Sequence, residues 1–177
     1  VHDLSPDARE LDRRRRSAEL GEELLSRLHH RGPDGSGTRQ VGPTWLGHTR
    51  LAIVDLDGGE QPLRSEDGHR WVVANGEIYN HEALRTELGG AFATGSDSEV
   101  VLRVLERRGT DGVHDLRGMY AFGTATGEGD VVLARDPLGV KPLYWARHED
   151  RVLAASELVA FPPDLRALVE EFPPGHH

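Results

Sequence analysis

"MYAFGTATGEGDVVLARDPLGVKPLYWARHEDRVLAASE", Met119 to Glu157, decides the fold class. Four short segments, MYAFGTAT, DVVLARD, PLYWAR and RVLAASE, alternate with turn-forming residues. Consecutive short strands joined by tight turns favour antiparallel hairpins over β-α-β units. Upstream, the pattern changes period. Ser5-Pro6-Asp7 predicts a helix start, and Leu20, Leu24, Leu25 and Leu28 continue it at helical spacing to about His29. A second helix is predicted at His81 to Leu88. A third opens at Ser96, where Glu99 completes a capping box ahead of Val100, Val101, Val104 and Leu105. Helices followed by an antiparallel run give an α+β chain.

Between these helices, "RGPDGSG" (Arg31 to Gly37) predicts a loop and "TWLGHTRLAIVDL" (Thr44 to Leu56) one strand, or two with a bend. "GGEQPLRSEDG" predicts a turn-rich connection, and "RWVVANG" a buried strand. In "VVANGEIYN", Val72 to Asn80, the Asn-Gly pair is a strong local turn signal. The same pair is also a side-chain amide beside a backbone N–H that can approach a ligand closely.

The 177 residues are enough for one domain with a core. Hydrophobic residues at 37% and charged residues at 29% exclude a disordered chain. The net charge of -9 argues against a general nucleic-acid binder and against an anionic membrane surface. No apolar run is long enough for a membrane span and no signal-peptide core is visible, so the expected address is cytoplasmic. With no cysteine, disulfides, thiolate metal sites and a cysteine nucleophile are excluded from these residues.

Single features stay ambiguous. Arg50 in an apolar strand either holds a carboxylate or makes a structural ion pair. Asp97 either caps a helix or holds a cationic group. Arg13 to Arg16 wraps a helix and reads as solvated surface. No phosphate loop, dinucleotide fingerprint, GxSxG or HExxH occurs, and His29 and His30 point in different directions, so no metal is expected.

In order, however, "HRGPDGSG", "GHTRLAIVDL", "GGEQPL", "NGEIYN", "TGSDSEV", "LRGMYAF" and "ARDPLGVKPLY" resemble the glutaminase domain of glutamine-dependent asparagine synthetases. These are class II glutamine amidotransferases with the N-terminal-nucleophile hydrolase fold. The resemblance runs from Val1 to "EFPPG" and implies a four-layer αββα sandwich of two mostly antiparallel sheets. It implies that Arg50 holds the α-carboxylate of glutamine and Asp97 its α-ammonium. It implies that Asn75 and Gly76 form the oxyanion hole, that Glu77 lines the pocket, and that the backbone of Ile53 and Val54 lies beside the substrate. Arg135, Asp136 and Lys141 match a stretch near the pocket floor and the domain interface. No cofactor is implied for this domain. ATP and Mg2+ belong to a C-terminal synthetase domain or subunit that the resemblance supplies as partner, and a homodimer is allowed.

The start departs from the family, whose members begin Met-Cys-Gly-Ile-x-Gly or close to it and use the exposed Cys as nucleophile. This chain begins "VHDLSPD". The expectation is a glutaminase domain lacking its first, Cys-bearing strand and inactive as given. The alternative is a degenerate, non-catalytic domain with a scaffold or regulatory role, as in β-lactam-forming synthetases.

Overall fold

The computed structural model describes residues 6–51 and 60–177; the expected cap Ser5 and the expected substrate neighbours Ile53 and Val54 lie outside them. Helix α1 (Pro6–Ser26) leads into a hairpin of β1 (Gly35–Val41) and β2 (Thr44–Arg50). A short β3 (Leu63–Arg64) precedes β4 (Arg70–Ile78), and α2 (His81–Leu88) and α3 (Glu99–Arg108) follow. The four strands expected at the end are β5 (Gly118–Thr126), β6 (Val131–Arg135), β7 (Tyr144–His148) and β8 (Arg151–Ala155). A two-residue β9 (Glu170–Glu171) closes the chain's last ladder.

Three apolar clusters define the layers. Val72, Ala74 and Ile78 of β4 and Tyr120 and Phe122 of β5 pack under Leu84 of α2 and Val100, Val101 and Val104 of α3. On the opposite face of that sheet, Trp71, Val73 and Ala125 meet Val41 and Leu46 of the β1–β2 hairpin. Beyond the second β layer, Leu20, Leu24 and Leu28 of α1 cover Tyr144, Ala146, Leu153 and Ala155 of β7 and β8. The sequence of layers is therefore α, β, β, α, as expected for an N-terminal-nucleophile hydrolase sandwich.

Among the described residues the strands form ladders of order β1-β2, β3-β4-β5-β6 and β8-β7-β9, with antiparallel pairing throughout. β6 and β7 are not neighbours: the chain crosses from one layer to the other between Arg135 and Tyr144, so the expected run of hairpins is two hairpins in different sheets.

Two local expectations fail. The predicted loop Arg31 to Gly37 gives way to strand at Gly35, and β1 as a whole went unread. Its burial alternates poorly, so pairing with β2 rather than its own apolar pattern makes it a strand. The Asn75-Gly76 pair is not a turn. It lies inside β4, opposite Ala121 and Tyr120. Nine register pairs between β4 and β5 override the local turn preference.

Besides Leu20, Leu24 and Leu28, helix α1 packs closely on one aromatic side chain. A Cβ placed on Gly21 would lie 2.3 Å from the Trp45 ring, and one on Gly47 would meet the same ring at 2.3 Å. Gly21→Ala therefore tests the docking by its sign. On an open helix surface the exchange stabilises by up to about 1 kcal/mol. Here it should destabilise by about 1–3 kcal/mol, measured by urea unfolding, because the added methyl overpacks the contact.

Candidate active site

Successive side chains of a strand point to opposite faces. With Val72, Ala74 and Ile78 committed to the helix side, Val73, Asn75 and Glu77 face the other β layer. There a cleft of about 1780 Å³ opens between the layers, lined by Arg50, Asn75, Gly76, Glu77, Asp97 and Lys141 among others. Arg50, Asn75, Gly76, Glu77 and Asp97 thus all line the same cleft.

Gly76 has φ +138°, and a Cβ there would lie 2.0 Å from the Met119 carbonyl oxygen. Only glycine fits this close approach of β5 to β4. Beside it, the amide nitrogen Nδ2 of Asn75 is buried and has no hydrogen-bond partner among the described residues. His81, at the start of α2 and also on the cleft wall, keeps Nδ1 in the same condition. A buried donor without an acceptor costs about 1–3 kcal/mol, which makes such groups candidates for ligand contacts.

Asp97 reaches the cleft through a braced loop. The buried Glu99 carboxylate accepts the N–H groups of Ala93 and Thr94 at 2.7 and 2.8 Å and the Thr94 hydroxyl at 2.6 Å. Arg85 of α2 donates to the Ser96 and Thr94 carbonyls at 2.6 and 3.1 Å. The expected capping box is absent: α3 begins at Glu99, and that carboxylate turns back to the Ala93–Thr94 backbone instead of Ser96. Nor does Asp97 cap a helix with its side chain. Its Oδ2 accepts the N–H of Ile78 at 2.6 Å, tying the loop to the end of β4, while among the described residues Oδ1 has a 3.5 Å contact with Ser98 Oγ.

Arg50 ends β2, and its carbonyl accepts the Asp34 N–H at 3.1 Å. The adjoining His29–Arg31 turn is anchored by Glu157, which takes Arg31 at 2.5 Å and His30 at 2.8 Å. Asn80, the last residue of "NGEIYN", holds the other end of β4: Oδ1 accepts the Arg117 N–H and Nδ2 donates to the Asp115 carbonyl, both at 2.9 Å. Arg135 and Asp136 are buried scaffold. Arg135 donates to the Gly139, Lys141 and Phe172 carbonyls and pairs with Glu171 at 2.7 Å. Burial pushes the Asp136 carboxyl upward, but the backbone N–H groups of Lys141, Val140 and Leu138 outweigh it and hold the net value below the usual range.

A family model described as "Glutamine amidotransferase domain" matches residues 9–171. The chain belongs to that family. It is 43% identical over 182 residues to "Asparagine synthetase B [glutamine-hydrolyzing]" of Escherichia coli (strain K12), covering 100% of this chain and 31% of the relative. It is 45% identical over 160 residues to "Probable asparagine synthetase [glutamine-hydrolyzing]" of Dictyostelium discoideum, covering 87% of this chain and 28% of the relative. Among solved structures, glutamine phosphoribosylpyrophosphate amidotransferase from B. subtilis superposes with TM-score 0.75 at 26% identity, over 89% of this chain and 43% of that one. The chain thus spans under a third of the length of these two relatives. No helix among the described residues is long and apolar enough to cross a membrane.

In this glutamine amidotransferase domain, His48 is a cleft-lining residue without a sequence signal of its own. It lines the cleft two residues before Arg50. Burial, reinforced by the Arg50 charge, lowers its pKa from 6.5 to about 4. His48 is therefore neutral at pH 7 and adds no second positive charge beside Arg50. Because the folded value lies below the unfolded one, this contribution to stability is complete above pH 6.5 and is lost as pH falls toward about 4. Its span is on the order of 3 kcal/mol. His48→Gln should flatten that part of the stability–pH curve, measured by denaturant unfolding between pH 7 and pH 4.

Proposed function

We propose that this domain hydrolyses glutamine to glutamate and ammonia and passes the ammonia to a synthetase region that activates an acid with ATP and Mg2+. The observation that carries this reading is Asn75 Nδ2, buried and without a hydrogen-bond partner among the described residues, beside the Gly76 backbone in the cleft. Attack on a carboxamide carbon gives a tetrahedral oxyanion, and two converging N–H donors are what that oxygen needs. Arg50 would take the substrate carboxylate in a two-point contact. Asp97, with Oδ2 committed to Ile78, offers Oδ1 to the substrate ammonium. A cation and an anion on opposite walls select a free amino acid over the same side chain within a peptide.

These residues bind and stabilise; they do not attack. The chain contains no cysteine, and the reading assigns the nucleophile to a Cys encoded before Val1, with its own α-amine as base. An α-amine titrates near roughly 7.7–8.0, suited to accept that proton. The family membership and the glutamine-hydrolysing names of the relatives support the reaction.

Calorimetry with glutamine on this chain tests the pocket directly: saturable binding is expected, and Arg50→Lys should weaken it by at least about tenfold because a point ammonium cannot reproduce the fork. Absence of binding by the unsubstituted chain overturns the pocket. In the complete gene product, Asn75→Ala should lower kcat by roughly 10²–10³-fold with KM little changed. A codon other than Cys at the mature start would replace the catalytic reading with the scaffold one.

A further inference from the structure

Gln61, in "GGEQPL", lines the cleft and makes an unusual contact. In an antiparallel ladder, the backbone groups of alternate residues face alternate edges. In β4 the odd positions face β5: the Tyr79 N–H just beyond the strand donates to the Arg117 carbonyl at 2.7 Å. The even positions face the outer edge. There the Arg70 carbonyl accepts the Ser65 N–H at 2.9 Å, Val72 stands opposite Leu63, and the Ile78 N–H goes to Asp97. By the same parity the N–H of Gly76 belongs to this outer edge.

Among the described residues the backbone ladder of β3 covers Leu63 and Arg64. Continued in register, the residue opposite Ala74 is Gln61. Gln61 fills that position with its side chain. Its Oε1 accepts the Ala74 N–H at 2.6 Å, and its Nε2 donates to the Ala74 carbonyl at 3.1 Å. One carboxamide thus satisfies both polar groups of Ala74, as a neighbouring peptide unit would.

Gln61 also touches the other layer. A Cβ on Gly37 would lie 1.9 Å from the Gln61 carbonyl oxygen, and Gly37 pairs with His48 in the hairpin that ends at Arg50. Gln61 therefore packs against the hairpin carrying the carboxylate clamp and bonds to the strand carrying Asn75. Gly76 lies between two side-chain rungs, Gln61 at Ala74 and Asp97 at Ile78. A glycine at φ +138° has little conformational preference of its own, so its neighbours decide where its N–H points.

We infer that Gln61 is a positioning residue of the oxyanion hole: its side-chain amide is a surrogate rung on the outer edge of β4 that aims the Gly76 N–H and the Asn75 side chain into the cleft. This inference rests on the glutaminase reading above.

Gln61→Met keeps the side-chain length and removes both hydrogen bonds. In this chain, amide exchange at Ala74 should accelerate by at least about tenfold while Val72, held by backbone pairing, changes by less than about twofold. Unchanged protection at Ala74 overturns the rung. In the complete gene product, Gln61→Met should lower kcat for glutamine hydrolysis by at least about tenfold, leave KM within about threefold, and have little further effect in an Asn75→Ala background. Additive losses mean that Gln61 acts on stability alone and overturn the inference. If the Met variant does not fold, Gln61→Glu retains the acceptor for the Ala74 N–H and loses the donor; kcat equal to the parent would again overturn it. A parent protein without hydrolysis overturns the glutaminase reading itself, and the Ala74 exchange then decides the rung independently.

Discussion

The molecule depends on the pairing of β4 with β5. Nine continuous register pairs leave neither strand free to slip, because a shift of one residue would send every β4 side chain to the wrong face. That single constraint commits Val72, Ala74 and Ile78 to the helical core and presents Asn75 and Glu77 to the cleft. It also forces the close approach at Gly76. The hydrophobic burial that fixes the register is thus what holds an unsatisfied amide in place.

Charge is organised around the same strand. Asp97 belongs at once to the scaffold, through the Ile78 N–H, and to the cleft, through its other oxygen. Its loop is held by Glu99 and Arg85, both shielded and both bonded to backbone groups. Arg50 arrives from the opposite layer, beside a histidine that stays neutral. A cation on the β2 strand and an anion on the loop before α3 therefore line the same cleft.

Much of this was legible in the sequence. The four closing strands, α2 and the apolar stripe of α3 follow from periodicity, which reports the burial that drives them. Arg50, Asn75, Gly76, Glu77 and Asp97 were picked out by their residue types and motif order, and they line one cleft. What escaped were features decided by partners distant in the chain. β1 is polar and becomes a strand only because β2 lies beside it. The Asn-Gly signal was overruled by the β5 ladder, and Glu99 found better donors than the one a local capping box provides. Gln61 was invisible for a related reason: a side chain that pairs with backbone 13 positions away leaves no periodic trace. His48 sits on the inner face of a strand read correctly, but its burial depends on a second sheet that no local pattern reveals.

The Trp45 contact couples three positions through shared volume. Its ring occupies the space that side chains at Gly21 and Gly47 would need. Neither glycine can drift while the indole remains, and the indole cannot shrink without opening a void beneath α1. Substitution at any one of the three is expected to be tolerated only alongside compensating change at the others. Positions on a helix and a strand, separated by more than twenty residues, therefore form one unit whose common constraint is volume.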